Sequence, residues 1–480
     1  MDLAALAAEA MRERGLEPEI PPAAARQAEA TPDPAARALA GAQDLTSLAW
    51  CSIDNDDTRD FDQLTVSEDG GAAGIRVLVA VADVAEAVAP GTPVDAHARF
   101  NTTSVYTAAR VFPMLPERFS TDLTSLVAGA DRLALIVAFV VDAAGRIGEI
   151  EISAARVRNQ AHLVYESVAA WLEGTGPAPP EVAGSGELSA QLRRQDEAAR
   201  RLRALRHERG ALDLETIESH PVMRDGRVVE LRAQGKDRAR QLIEDFMIAA
   251  NEATARFFQE KGVACLRRVV RSPERWDRLQ ALAAAKGYTL PPEPDSTALA
   301  DFLRRMRGAD PLRFPDLSLA VVKLLGAGEY AVYVPGTEAD GHFGLAVRDY
   351  MHSTAPNRRY PDLVTQRLLK ALVAGKPTPY SRPDLEDLAT HCTRQEDAAN
   401  RVERQVRKAA AALLLVDRVG EHFDALVTGA SPKGTWVRTL HPPVEGRLMA
   451  GERGLDVGDA VRVRLLRADP ARGQIDFARD

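Results

Sequence analysis

The sequence predicts a multi-domain protein of α and β structure, with a small helical N-terminal unit, a large mixed α/β domain and a C-terminal β-barrel. Three observations support this prediction. The chain begins alanine-rich and helix-prone, continues with apolar strands that alternate with amphipathic helices, and ends in short strands separated by Gly and Pro. With 480 residues and 45% hydrophobic composition, the chain can fill the cores of about two to four domains.

Residues 1–45 are predicted to be helical. The stretch "LAALAAEAMRERG" ends at Gly15, a suitable helix stop, and "PPAAARQAEA" starts with prolines, which suit the first turn of a helix. The stretch "DPAARALAG" is a third candidate helix. These helices could form a small helix-turn-helix-like unit, or a simple extension packed on the next domain.

Residues 46–380 are predicted to form the large mixed domain. Its strands "LAWCSI", "QLTVSE", "IRVLVAVADV" and "LALIVAFVVD" are apolar, partly β-branched and bounded by Gly or Asp. Its helices include "HLVYESVAAWLEG" and "RARQLIEDFMIAANEATARFFQEKG". Residues 381–420 are predicted to be a long helix that belongs to the same domain. Residues 421–480 have the turn spacing of a small barrel built from short strands.

The net charge of −8 argues against a generally basic nucleic-acid-binding surface, although a locally basic channel remains compatible with it. The stretch from Arg193 to Arg209 holds seven arginines against three acidic residues. It fits either a basic surface or a solvated helix with ion pairs four residues apart.

The cysteines and the apolar runs bear on location. Cys51, Cys265 and Cys392 are scattered without metal-ligand spacing, and they fit free thiols in a reducing cytoplasm. The N-terminus lacks the basic region of a secretory signal. The longest apolar run, "LALIVAFVV", is far shorter than the about 20 residues of a membrane-spanning helix. We therefore expect a soluble, cytoplasmic protein without membrane contact, and a monomer is slightly favoured.

Five aspartates crowd into the stretch "DNDDTRDFD" between two predicted strands: Asp54, Asp56, Asp57, Asp60 and Asp62. A solvated loop is the simplest interpretation, because Asp and Asn favour turns. The alternative is a cation site, since two carboxylates about 4 Å apart repel by roughly 4 kcal/mol at an effective dielectric near 20. Oxygen-only ligands suit Mg²⁺ or Mn²⁺ better than zinc.

Two other cation-dependent motifs fit this stretch poorly. An EF-hand loop needs glycine where Arg59 stands and a bidentate glutamate where Thr65 stands. A haloacid-dehalogenase-type phosphatase also uses Asp-x-Asp, but there a buried strand leads directly into the first aspartate. Here "DDTR" precedes "DFDQ".

A second charged stretch, "YMHSTAPNRRYPDLVTQRLLKAL", places Arg358 and Arg359 just before a predicted helix that starts at Pro361 and Asp362. Guanidinium groups beside the free N–H groups of a helix N-terminus make a good phosphate site. The alternative is a capped helix with two solvated arginines.

Together, these stretches resemble the ribonuclease II / ribonuclease R family of exoribonucleases. "SIDNDDTRDFDQ" resembles its aspartate motif, and the region from "HFGLAVRDY" to "TAPNRRYPDLVTQ" resembles its signature. Between them, "SVYTAARVFPMLPERF", "AHLVYESVAAWLE", "ERGALDLE" and "QLIEDFMIAANEA" resemble further blocks in the expected order. The C-terminal barrel looks like an S1 domain, an OB-fold that binds RNA. The resemblance covers the chain from about residue 44 to its end.

The resemblance implies hydrolytic, processive degradation of single-stranded RNA from its 3′ end to nucleoside 5′-monophosphates, with Mg²⁺ as cofactor and Mn²⁺ as a substitute. By position, Asp54, Asp60 and Asp62 are expected to be catalytic and to hold metal, and the amide oxygen of Gln63 could reach a cation. Asp62 matches the position at which the family is most intolerant of change.

Further residues are implied to contact RNA. Arg358 should hold the scissile phosphate, with Arg359 beside it. Tyr165 should position the 3′-terminal nucleotide, and Tyr106 should stack on a base further along. For either tyrosine, core packing is the simpler alternative.

Two glutamates complete the expected site. Glu244 is implied to line the catalytic cavity, and Glu403 matches another cavity-facing, RNA-binding position. Carboxylates on a helix face are usually solvated, which is the alternative for both.

The chain departs from the family pattern at several positions. Gln63 stands where the family has a fourth aspartate, which brings metal affinity and activity into question. Asn357 replaces an apolar residue and Ala355 a common serine, and both changes look tolerable. The 45 helix-prone residues cannot encode the two cold-shock barrels that usually precede the catalytic domain. The main alternative is a non-catalytic RNA-binding protein on the same fold, and a phosphatase is a third.

Overall fold

Two N-terminal helices, α1 (Leu3–Glu13) and α2 (Pro22–Ala30), begin the computed structural model, which describes residues 2–36, 42–215, 218–224, 227–311, 313–338, 341–431, 434–455 and 457–480. The carboxylate of Asp2 caps α1 by accepting hydrogen bonds from two backbone N–H groups of its first turn. The third predicted helix, within 33–41, is a 3-10 turn at Pro34–Ala36, and residues 37–41 lie outside the described part.

A seven-stranded mixed sheet forms the centre of the large domain, in the order β1-β8-β7-β4-β3-β2-β9. β2 runs parallel to β9 and antiparallel to β3, and β1 runs parallel to β8. The strands of this sheet are β1 (Gln43–Asp44), β2 (Cys51–Asp54), β3 (Gln63–Asp69), β4 (Ile75–Ala82), β7 (Asp131–Val141), β8 (Ile147–Arg158) and β9 (Ala161–Val164). The segment after β4 contains α3 (Val84–Ala87), α4 (Pro93–Asn101) and the short strands β5 (Val105–Tyr106) and β6 (Val111–Phe112).

Helices cover both faces of this sheet, which explains why its central strands are continuous apolar runs. In β7, every residue from Arg132 to Val141 is buried. One face packs against α5 (Tyr165–Glu173), α7 (Gly186–Glu208) and α8 (Arg238–Lys261), with α6 (Pro180–Ala183) beside α7. The other face packs against α4 and α12 (Tyr360–Val373).

The arginine-rich stretch forms most of α7 and is more than a solvated helix face. Arg203 and Arg206 both form ion pairs with the buried carboxylate of Asp245 on α8. Burial raises the pKa of Asp245, and the two arginines oppose this shift. Part of the local positive charge is therefore used to join α7 to α8.

The second half of the domain adds two strand pairs and a group of helices that the sequence interpretation did not include. The hairpin β10 (Glu218–Arg224) and β11 (Arg227–Gln234) is followed, after α8, by β12 (Cys265–Val269), which pairs antiparallel with β13 (Glu329–Tyr333). Between β12 and β13 lie α9 (Trp276–Ala285), α10 (Ser296–Ala309) and α11 (Phe314–Leu325), which share a core of their own.

The long predicted helix is α13 (Arg382–Leu415), which leads into a closed five-stranded barrel with the order β14-β15-β16-β18-β17. Its strands are β14 (His422–Ser431), β15 (Gly434–Thr439), β16 (Glu445–Ala450), β17 (Ala460–Asp469) and β18 (Gln474–Arg479). The fold class predicted from the sequence is confirmed. Within the described residues, none of the helices combines the length and apolarity needed to cross a membrane.

The barrel is fixed to the large domain by an apolar contact and an ion pair. Ala412 and Leu415 of α13 join the core of the barrel. Arg438 on β15 contacts both carboxylate oxygens of Asp316 on α11, with Nη1–Oδ1 and Nη2–Oδ2 distances of 3.1 and 3.2 Å. Only 1% of the Asp316 side chain and 11% of the Arg438 side chain are exposed, so this contact is an internal one.

Candidate active site

The aspartate-rich bend connects β2 to β3 and ends at the buried carboxylate of Asp62. Oδ1 of Asp62 accepts a hydrogen bond from the backbone N–H of Asn357, and Oδ2 accepts one from Nε of Arg358, each at 3.0 Å. Burial raises the pKa of Asp62 to about 6, the charge of Arg358 opposes that rise, and the charge of Asp60 adds to it. The two sequence motifs thus meet at one carboxylate.

Arg358 is held at one end and open at the other. Its backbone carbonyl accepts hydrogen bonds from the backbone N–H of Ser104 and the hydroxyl of Thr103. Its side chain is 44% exposed, whereas that of Asp62 is 2% exposed. With the described residues, only Nε forms a side-chain hydrogen bond, so both terminal nitrogens are available to an anionic ligand.

Asp60 belongs to a chain of contacts that runs from the bend to α13. Its Oδ2 accepts a hydrogen bond of 3.1 Å from the hydroxyl of Tyr106, and the backbone N–H of Tyr106 donates one of 2.8 Å to Oε1 of Glu403. Burial raises the pKa of Tyr106, which keeps its hydroxyl a donor. Tyr106 on β5 is nevertheless 40% exposed as a residue. The structure therefore brings Glu403 and Tyr106 to the aspartates.

Asp54 ends β2 and is oriented by its own turn. Its Oδ1 accepts hydrogen bonds from the backbone N–H of Asn55 and the hydroxyl of Thr58, at 2.8 and 2.9 Å. In the parallel register of β2 and β9, Asp54 is the partner of Val164, and the next residue is Tyr165. Adjacent parallel strands therefore deliver Asp54 and Tyr165 at the same edge of the sheet.

The stretch predicted as one helix, "HLVYESVAAWLEG", is split between β9 and α5, and Tyr165 lies at the junction as the first residue of α5. Burial raises the pKa of Tyr165, with Asp54 adding to the shift and Arg240 and Arg358 opposing it. The Tyr165 hydroxyl makes no hydrogen bond within the described part of the chain. The Tyr165 hydroxyl therefore lies within electrostatic range of both Asp54 and Arg358.

The carboxylates fit a divalent cation by their chemistry. Oδ2 of Asp54 and Oδ1 of Asp60 form no hydrogen bonds with described residues, and both are hard oxygen donors. Over the same residues, no group of three or more His, Cys, Asp or Glu side chains is arranged as a closed metal cluster. Mg²⁺ commonly uses one or two carboxylates together with water and substrate phosphate, so an open set of this kind suits it.

Three predicted residues are not brought into these contacts. Gln63 begins β3 half-buried, and its amide has no hydrogen-bond partner among the described residues. Glu244 forms an ion pair of 3.6 Å with Lys236 and is 46% exposed. Arg359 donates to both oxygens of Asp362, so its guanidinium is used within the first turn of α12. Their predicted roles stay predictions, and the geometry favours a structural role for Arg359.

Sequence reasoning missed Arg240 and the backbone N–H of Asn357. Arg240 lies in the first turn of α8, and its guanidinium carbon lies 4.3 Å from the centre of the Tyr165 ring. Asn357 was considered only for its side chain, whose amide oxygen accepts from the hydroxyl of Thr124. The sequence signal for Arg240 was Asp237, a helix N-cap residue three positions before it.

A mixed α/β domain with an open carboxylate–arginine site, joined to a closed OB-type barrel, defines the class of this protein. The family model of the RNB domain matches residues 42–375, and that of the RNase II-type exonuclease C-terminal S1 domain matches residues 421–480. The chain belongs to the RNB family. The resemblance seen in the sequence motifs is thereby confirmed.

Individual relatives agree with this assignment. Ribonuclease R of Escherichia coli (strain K12) is 31% identical over 478 residues, which cover 92% of this chain and 58% of that relative. The chain thus spans less than three-fifths of the length of that relative. Mycoplasma genitalium RNase R in complex with ribose-methylated single-stranded RNA has a similar fold, with a TM-score of 0.89, 22% identity and coverage of 100% of this chain and 78% of that chain. Yeast Ssd1, described as a pseudonuclease, also shares the fold, with a TM-score of 0.66 and 18% identity. The match covers 85% of this chain and 50% of that chain.

Proposed function

We propose that this protein is a hydrolytic, processive 3′-to-5′ exoribonuclease that degrades single-stranded RNA to nucleoside 5′-monophosphates. The observation that carries the proposal is the contact between Asp62 and Arg358, which joins the acidic motif to an open guanidinium group. An open guanidinium beside carboxylates suits a phosphodiester, whose charge needs both a cation and an orienting donor. Family membership and the names of the relatives support the same activity.

Exoribonucleases of the RNB family are metal-dependent hydrolases. We propose Mg²⁺ as the cofactor, with Mn²⁺ as a substitute, because the available donors are carboxylate oxygens. Asp54 and Asp60 would hold the cation, which would supply activation of water and charge neutralisation at the phosphate. Gln63 could add a neutral oxygen donor in place of the family's fourth carboxylate.

Asp62, Arg358 and the two tyrosines would bind and orient the RNA. Asp62 holds Nε of Arg358, so that the other guanidinium nitrogens can bind the scissile phosphate and stabilise its developing charge. Tyr165 contacts the 3′-terminal nucleotide through its ring or its hydroxyl, which forms no hydrogen bond with the described residues. Tyr106 offers an exposed ring beside Asp60, and base stacking on such a ring is worth about 1–3 kcal/mol without dependence on sequence.

The parts of the chain would have separate tasks. The RNB domain of about residues 46–380, with the helical connection of 381–420, would bind the 3′ end and cleave it. The S1 barrel of 421–480 would bind RNA further from the cleaved bond. The three cysteines are free and buried, which fits the proposed cytoplasmic location. We propose that the protein acts on single-stranded RNA as a monomer.

A non-catalytic RNA-binding role is the second candidate. It is favoured by the missing carboxylate at Gln63, together with the fold shared with a protein described as a pseudonuclease. In that case the basic and aromatic groups would bind RNA without turnover.

One assay separates the two candidates. A single-stranded RNA labelled uniformly along its chain is incubated with Mg²⁺, with Mn²⁺ or with chelator, and products are followed over time. The proposal predicts release of mononucleotides that depends on the metal, and no comparable release from DNA of the same sequence, because an RNA-specific site must sense the 2′-OH. Binding of RNA without degradation under both metals would support the non-catalytic candidate instead.

A further inference from the structure

Arg240 connects three elements at the edge of the candidate site. Its Nε donates to Oδ2 of Asp237 at 3.0 Å, within the first turn of α8. Its Nη2 donates to Oδ1 of Asn55 in the aspartate bend and to Oε1 of Glu166 on α5, at 3.0 and 2.8 Å. These contacts fix the plane of the guanidinium group relative to the bend and to both helices.

The same guanidinium lies over the ring of Tyr165, with its central carbon 4.3 Å from the ring centre. At this distance the group is in van der Waals contact with the ring and attracted to its π-electrons. One face of Tyr165 is therefore covered by a group that is itself held in place. A base can stack only on the opposite face.

We propose that Arg240 is a positioning residue for Tyr165, which sets the ring orientation that receives the 3′-terminal nucleotide. The inference rests on the proposed function, since it specifies how that same site would hold the end of an RNA chain. Arg240 acts through Tyr165 rather than as a phosphate ligand, because Asp237, Asn55 and Glu166 already accept hydrogen bonds from its nitrogens.

This arrangement also links base contact to the aspartates. The residue that anchors Arg240 in the bend, Asn55, donates its backbone N–H to Oδ1 of Asp54. A rotation of the Tyr165 ring away from its position would leave the guanidinium without its π-contact, and a shift of the bend would break the Asn55 contact. Arg240 thus relates the nucleotide position to the position of Asp54.

A double-mutant cycle tests the proposal. The variants are Arg240→Gln, Tyr165→Ala and the double variant, with Arg240→Lys as the conservative replacement. Arg193→Gln is the matched control, because Arg193 lies over the ring of Trp171, which belongs to α5 as Tyr165 does, at 4.7 Å from the ring centre. Among the described residues, Arg193 forms no hydrogen bond or ion pair with the site. Single-turnover degradation with Mg²⁺ gives the rate. Fluorescence of a 3′-terminal 2-aminopurine in RNA bound under chelator reports stacking of the last base.

We expect Arg240→Gln to slow single-turnover degradation by about tenfold in the wild-type background. In the Tyr165→Ala background the same change should slow it by less than about twofold. The quenching of 2-aminopurine should weaken in Arg240→Gln, recover partly in Arg240→Lys and be unchanged in Arg193→Gln. The affinity for a long RNA should change little, since contacts away from the 3′ end remain.

Two outcomes would overturn the inference. Equal losses in both backgrounds would show that Arg240 does not act through Tyr165, and unchanged quenching in Arg240→Gln would show that it does not position the last base. Failure of the proposed function looks different, because the unchanged protein would then release no mononucleotides with Mg²⁺ or Mn²⁺. The fluorescence measurement, made under chelator, would still decide the role of Arg240 in binding.

Discussion

Nε of Arg358 lies 3.0 Å from Oδ2 of Asp62, although 296 positions separate the two residues in the chain. The Asp62 carboxylate is buried, whereas the Arg358 guanidinium is partly exposed. Asp62 therefore holds the arginine in place, and Arg358 can contact a ligand. The fold thereby converts two unremarkable charged stretches into a single site. The following predictions test that site and the structure that supports it.

Asp62→Asn should abolish hydrolysis while leaving RNA binding intact. The amide has nearly the same shape, but it removes the charge that holds Arg358, and losing one such contact commonly slows a reaction by about 10²–10³-fold. Single-turnover decay of a bound, end-labelled RNA measures the effect. Asp57→Asn is the matched control, because Asp57 is exposed in the same bend. Decay of Asp62→Asn within a few-fold of the unchanged protein would contradict the assignment.

Gln63→Asp should lower the Mg²⁺ concentration that gives half the maximal rate. The change restores a carboxylate beside Asp62, and a hard anionic oxygen binds Mg²⁺ better than an amide does. Gln63→Asn is the control, since it keeps the neutral amide. Titration of the degradation rate with Mg²⁺ distinguishes them. A half-maximal concentration that stays constant or rises would place Gln63 away from the cation.

Asp316→Asn should destabilise the docked barrel. Arg438 would keep its buried position without a charged partner, and removing one member of a buried ion pair typically costs about 3–5 kcal/mol. Urea unfolding measures the change. Asp424→Asn provides the comparison, because the Asp424–Arg462 pair on the same barrel is mostly exposed and should be worth less than about 1 kcal/mol. Equal effects of the two changes would show that the Arg438 contact is not an internal one.

His342 should make stability depend on pH. Burial lowers its pKa to about 4, with the charge of Arg268 adding to the shift, and its Nδ1 accepts a hydrogen bond from the backbone N–H of Leu345. An unfolded histidine titrates near pH 6.5, so between about pH 6.5 and pH 4 the unfolded chain takes up a proton that the folded chain refuses. The free energy of unfolding should fall as the pH falls through that window, by up to roughly 3 kcal/mol from this residue.

The variant His342→Asn tests this prediction, because Oδ1 of asparagine takes the place of Nδ1 and can still accept from the backbone N–H of Leu345 without titrating. Urea unfolding at several pH values should show a weaker dependence for the variant between about pH 6.5 and pH 4, and both proteins should level off above that range. Parallel curves for the two proteins would contradict the prediction.

Strong local patterns made parts of the fold predictable from the sequence. The four predicted apolar strands are β2, β3, β4 and β7, and α12 begins at Tyr360, one residue before the predicted Pro361. Such elements are fixed by local patterning and burial, which a sequence displays directly. By contrast, the interpretation left out β8 and the group α9 to α11. β8 alternates irregularly between buried, half-buried and exposed residues, and α9 to α11 bury short apolar stretches mainly against one another, so neither shows a strong local pattern.

The site shows the same division. The proximity of the two motifs followed from their likeness to a family, whereas the direction of each side chain did not. Arg358 and Arg359 are neighbours in sequence, yet one reaches Asp62 and the other Asp362, because Arg358 lies in a turn whereas Arg359 is the extended N-cap residue of α12. Arg240 was missed for a related reason: its contacts on the bend and α5 come from segments 74 or more residues away.

The parallel pairing of β2 with β9 has a consequence for how the protein can change over generations. The closeness of Asp54 and Tyr165 is set by main-chain register rather than by the identity of neighbouring side chains. Point substitutions along these strands can therefore accumulate without separating the two residues. A one-residue insertion or deletion within β9 would instead turn Tyr165 to the other face of the sheet in one step. During evolution, this chain should thus tolerate amino-acid substitutions in β9 far better than insertions or deletions.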